Sequence, residues 1–182
     1  MKKLRGHVVF AVMLMVASWG VGDAIAQSIE CASPVRNIAG VTDPASHVIT
    51  TKYQFDTPNL QPLLKTTINA ELGCLVAHVS GLARITDNYI VFQVSVDGVP
   101  MLGHLSGIAG VATPVVFVTL DEGTPPYNDE QFSDPTKVVA YNFFARVGAG
   151  DHTVEVLAAA GSNIDPLNPP LVHNLVLTLA YH

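Results

Sequence analysis

Six histidines lie beyond residue 26: His47, His78, His104, His152, His173 and His182. None form an H-x-H or H-E-x-x-H pair, the spacings that set two imidazoles on one metal from a single strand or helix. A zinc site would have to assemble from distant segments. His78 and His104 flank the stretch running from Asp87 to Asp97, and these four residues make one candidate set of two nitrogen and two oxygen donors. A second candidate is the stretch 121–134, where Asp121, Glu122, Asp129, Glu130 and Asp134 place five carboxylates in one connection. Oxygen-rich loops suit calcium, which takes about six to eight oxygen ligands, although this spacing is not that of an EF-hand. The alternative is a solvated acidic loop. Tyr127 and Phe132 are rings in the same stretch and would be its contact residues if it meets a partner.

Nucleophilic chemistry has less to stand on. Ser80-Gly81 and Ser106-Gly107 occur, but no G-x-S-x-G elbow does. Triad members need not be adjacent in sequence, so an exported hydrolytic or metal-dependent enzyme remains the rival to a binding function. No motif supports paired-carboxylate glycosidase chemistry. Cys31 and Cys74 are the two cysteines. An even count in an exported chain predicts a disulfide, which would pin the N-terminal segment to the strand holding Cys74. There is no C-x-x-C that would suggest a redox thiol.

Export is read from the first 26 residues. Lys2, Lys3 and Arg5 form a basic start, residues 8–17 an apolar run, and Ala24-Ile25-Ala26 the small-x-small pattern of a cleavage site. The run is shorter than the roughly 20 residues of a membrane-spanning helix. We therefore expect a signal peptide over 1–26 and one domain over 27–182, secreted or periplasmic, with no membrane span after cleavage. The leader holds three bases and one acid, so its loss takes the net charge from −6 to −8. The bases left (Arg36, Lys52, Lys65, Arg84, Lys137 and Arg146) are scattered. A phosphate backbone needs clustered cations, so nucleic acid is excluded as a partner.

The elements that must position these residues are strands. In 89–97, Ile90, Phe92, Val94 and Val96 alternate with Gln93, Ser95 and Asp97, the pattern of a half-buried strand, and Asp97-Gly98 ends it with a turn signal. Similar alternation marks 49–56, 139–147 and 175–181. Shorter candidates are 63–69, 74–79, 115–120 and 153–158. No window of 11 or more residues keeps a 3.6-residue period, and Gly and Pro punctuate throughout. About eight antiparallel strands predict an all-β sandwich of jelly-roll type. A small outer-membrane β-barrel is the alternative. It is disfavoured because the only tryptophan, Trp19, lies in the leader and several strands fall short of the length a bilayer needs.

Three segments carry a family resemblance. Residues 73–80 resemble an early jelly-roll strand, residues 92–98 the strand leading into a short turn, and residues 147–156 the G-D-H-x-V-x-V step before a closing strand, here 175–181. Together these resemble secreted jelly-roll domains of the complement-head and tumour-necrosis-factor-like kind, and carbohydrate-binding β-sandwich modules. The resemblance implies a non-enzymatic binding or structural module with a protein or glycan ligand. The chain lacks a collagen-like stalk. The stretch 98–113 is apolar, Gly-rich and poor in charge. It reads either as a buried crossover between sheets or as a patch, with Met101 in it, that packs against another subunit of a homo-oligomer.

Overall fold

The computed structural model describes residues 35–54, 59–85, 89–104, 112–119, 136–161, 164, 166–167 and 169–182. The elements among the described residues are eleven strands: β1 (Asn37–Val48), β2 (Gln61–Ala70), β3 (Gly73–Arg84), β4 (Tyr89–Val96), β5 (Val99–Pro100), β6 (Leu102–His104), β7 (Ala112–Thr113), β8 (Val116–Thr119), β9 (Thr136–Val147), β10 (Gly150–Ala160) and β11 (Leu171–Tyr181). Among the described residues there is no helix, so none is long and apolar enough to cross a membrane.

The strands form two antiparallel sheets. One runs β1-β11-β3-β9-β6-β7; the other runs β2-β10-β4-β5, with β8 also on β4. Successive long strands alternate between the sheets, which gives the jelly-roll-like sandwich expected from the sequence. The inner faces meet in one core whose largest buried side chains include Phe92, Phe143, Ile49, Leu75, Ile90, Leu175, Leu177 and Leu179. Each such side chain stabilises by roughly 1.5–3 kcal/mol on burial. Two stacked sheets with a packed interior are not the single closed sheet of a membrane barrel, which removes that alternative.

Alternation predicts the central strands well. In β3, Leu75, Ala77 and Val79 face the core while Val76, His78 and Ser80 face outward. In β9, Val139, Phe143 and Val147 do the same. Three details depart from expectation. First, β4 is buried on both faces: Gln93 and Ser95 lie in the interior, and the Gln93 amide donates to the Pro114 carbonyl at 3.3 Å. The edge of β4 away from β10 is shared by β8, at Tyr89 to Phe92, and β5, at Ser95 and Val96. Second, the described part of the predicted strand 49–56 is no strand. Ile49 is a core residue, and Lys52 makes one isolated bridge to Ala160. Third, the first strand is 37–48, whose Gly40 and Pro44 argue against a strand in the sequence. A bulge between Asp43 and Ser46 absorbs Pro44, and the Asp43 carboxylate accepts from the Ala45 N–H at 2.8 Å.

The stretch 98–113, as far as it is described, is a crossover. β5 belongs to one sheet, β6 and β7 to the other, and Met101 sits between them. Met101 is 0% exposed, and its N–H donates to the Val94 carbonyl at 2.8 Å. It is a core residue, so the expectation that it contacts a partner is corrected. Gly103 is required beside it: a Cβ there would stand 2.8 Å from Val116 Cγ2 and 2.9 Å from Phe143 Cε1.

Candidate functional site

At one end of the sandwich, β6 pairs with β9 only through Leu102–Phe144 and Gly103–Phe143. Beyond that point the chain has crossed to the other sheet, and the edge of β9 from Ala145 to Gly148 is left facing the β4–β5 hairpin. The space between them is a groove of about 370 Å³. Val99, Pro100, Leu102 and Phe144 supply apolar wall, and Asp97, Arg146 and His152 supply the charged groups.

Two turns frame the groove. Asp97 and Gly98 both have positive φ, 52° and 78°, as a two-residue hairpin of the primed type demands. The turn from β9 to β10 ends at Gly150, with φ 132°. His152, the second residue after it, clasps the two turns together. Its Nδ1 donates to Asp97 Oδ2 at 2.6 Å and its Nε2 to the Gly148 carbonyl at 3.1 Å. Asp97 Oδ1 accepts from the Thr153 N–H at 2.8 Å.

Both ring nitrogens of His152 face acceptors, an arrangement only the imidazolium satisfies. Its pKa is accordingly raised, chiefly by the bond to Asp97 and then by the Gly148 carbonyl. The pKa of Asp97 is lowered, first by His152 and then by the Thr153 N–H. These groups neutralise each other, and both ring nitrogens of His152 are engaged. A histidine held at both nitrogens is not a general base. The Arg146 side chain forms no ion pair or hydrogen bond among the described residues.

Of the residues singled out by sequence, Asp97 alone lines this groove. His78 lies in mid-sheet on the outer face of β3, where its Nδ1 bonds Asn142 Oδ1 at 2.8 Å. It and Asp97 stand in different sheets with different partners, so the structure does not bring that metal set together. His104 belongs to β6, and Asp87 lies outside the described residues. Among the described residues no group of three His, Cys, Asp or Glu is placed to hold a metal. Asp121, Glu122, Tyr127, Asp129, Glu130, Phe132 and Asp134 all lie outside the described residues. Cys74 opposes Arg146 across β3 and β9, and no described cysteine is a free thiol. Cys31 is outside the described residues.

Sequence reasoning passed over Phe144, Arg146 and His152 as site residues. The signal for His152 was present in two separate places, the Asp97-Gly98 turn and the Gly150-Asp151-His152 step. Nothing in their spacing of 55 residues joins them.

No protein-family model matches the chain, and no curated protein does. Several solved structures are similar at low scores. The VP2 subviral particle of infectious bursal disease virus has a TM-score of 0.41 and 13% identity, over 80% of this chain and 32% of its own. The C-terminal domain of EclA, a sugar-binding protein, has a TM-score of 0.38 and 12% identity, over 88% and 89%. A family two carbohydrate esterase from Cellvibrio japonicus has a TM-score of 0.28 and 14% identity, over 80% and 35%. The chain thus spans about a third of the capsid protein and of the esterase. At these scores nothing about ligand or activity carries over.

Proposed function

We propose that the chain is an exported, non-enzymatic binding module whose ligand lies in the groove between the β4–β5 hairpin and the β9 edge. The observation that supports this is the state of the groove's polar side chains. His152 and Asp97 are spent on holding two turns together, which leaves a pre-formed apolar wall with one open cation and no base beside a nucleophile. Pre-formed, largely apolar concavities with few polar groups are the usual form of small ligand sites. The test is Leu102→Arg, which fills the groove from its wall. It should abolish saturable ligand binding in a screened library while the thermal midpoint stays within a few degrees. A variant that binds every hit as before overturns the reading.

Self-association is a second reading with its own observation. The outer face of the β1-containing sheet carries an unbroken apolar row across five strands: Ile38, Ala180, Val76, Phe144 and Leu102. Ile38 is 76% exposed, and Val138 on the same face 80%. The sole carboxylate within the strands of this sheet is Asp43, although the chain carries −6 overall. Two such faces can meet without burying an unpaired carboxylate. Light scattering decides it: Ile38→Lys with Val138→Lys should reduce an oligomer to a monomer, and a wild-type monomer refutes it.

Calcium at residues 121–134 is a proposal on the same footing. A rise in thermal midpoint on adding calcium, reversed by EDTA, would support it, and no change would remove it.

A further inference from the structure

The reading of the groove as a ligand site leads to the chemical class of its ligand. We infer that the groove takes a small organic carboxylate, its apolar body against Pro100, Leu102 and Phe144 and its charge facing Arg146.

His152 and Asp97 cancel, with both ring nitrogens and both carboxylate oxygens occupied. Arg146 therefore leaves the groove net positive. A guanidinium presents a planar fork that matches a carboxylate with two parallel hydrogen bonds. One cation matches one negative charge, which favours a carboxylate over a phosphate dianion. Inorganic anions would leave the wall of Val99, Pro100, Leu102 and Phe144 unused. At about 370 Å³ the groove stands at the small end of the roughly 300–1,000 Å³ range of ligand pockets, the size of a small molecule and not of a folded partner.

The experiment is a titration of the purified chain followed by amide NMR, with hexanoate, benzoate, their neutral amides, hexylamine and phenyl phosphate as probes. The carboxylates should shift the amides of Val99, Leu102 and residues 144–148 saturably. The amides, the amine and the phosphate ester should bind at least tenfold more weakly. Arg146→Gln, a change at an exposed position, should weaken the carboxylates at least tenfold and leave the amides unchanged. Amides that bind as well as acids, or an Arg146→Gln chain that binds acids undiminished, overturn the carboxylate inference and leave the groove as an apolar site. Preference for the phosphate ester or the amine overturns it in favour of that charge class. If no probe shifts the groove amides, the groove reading itself falls with it.

Discussion

Replacing Gly103 by alanine tests the packing that holds the crossover, and with it the groove wall, in place. The added methyl would meet Val116 Cγ2 at 2.8 Å and Phe143 Cε1 and Cδ1 at 2.9 and 3.1 Å. Val116 and Phe143 are both 0% exposed, so neither has room to withdraw. Overpacking of this kind costs about 1–3 kcal/mol, and with two fixed neighbours the upper part of that range, about 2–3 kcal/mol, applies. Alanine also restricts the unfolded chain, which offsets about 0.4–1 kcal/mol. The net loss is about 1–2.6 kcal/mol. For a domain of this size about 2–4 °C accompanies each kcal/mol, so Tm should fall by about 2–10 °C. Gly148→Ala is the control, since a Cβ there meets nothing within 4 Å. Neither glycine has a left-handed φ, so backbone strain does not confuse the comparison. Thermal and urea unfolding should show a lower midpoint for Gly103→Ala and an equal or higher one for Gly148→Ala. Equal midpoints in the two variants would refute the packing described for the crossover.

The His152 clasp makes stability depend on pH in a defined window. The pKa of His152 is raised above its ordinary 6.5, so its contribution is full below 6.5 and is lost as pH rises through the higher folded value. That of Asp97 is lowered below 3.8, so its contribution is full above 3.8 and is lost as pH falls through the lower folded value. Thermal scans should therefore show a clasp contribution that is complete between pH 3.8 and 6.5 and fades on either side. His152→Gln should flatten the alkaline limb, and an unchanged slope above pH 6.5 would contradict the clasp. The proposed Cys31–Cys74 bridge closes a loop of about 44 residues, worth roughly 4 kcal/mol in the chain-entropy model. Reductant should lower the urea midpoint accordingly, and free-thiol titration of the unfolded, unreduced chain should find none; two reactive thiols would exclude the bridge.

Much of the sandwich was legible because burial on one face writes a period of two into a strand. β3, β9 and β11 show it plainly. Where a strand lies under cover on both faces, as β4 does, its polar residues misled: Gln93 and Ser95 are buried, and the Gln93 amide finds its partner at the Pro114 carbonyl. β1 was hidden by Pro44 and Gly40, since the sequence does not show that a bulge will absorb the proline. The alternation in 49–56 was real, but it records Ile49 and Tyr53 turned inward from a connecting segment. Tyr53 packs edge-on against Phe117, ring centroids 5.7 Å apart. The groove was the least legible feature. Its residues come from three stretches of chain, and its existence depends on where β6 stops pairing with β9, a length that no local pattern encodes.

The pairing of β1 with β11 has a consequence for how the chain reaches this state. The first and last strands lie side by side, and β2 pairs with β10. Most ladders thus join segments separated by much of the chain, so loop-closure entropy must be met before the pairings stabilise anything. Folding should be slow, in the millisecond-to-second range typical of such topologies, and should have no stable product before the C-terminal strand is available. A ribosome-bound or translocating chain lacking residues 171–182 would leave β3 and β1 without their shared neighbour. For a protein proposed to be exported, that delay would keep the chain threadable until its synthesis is complete.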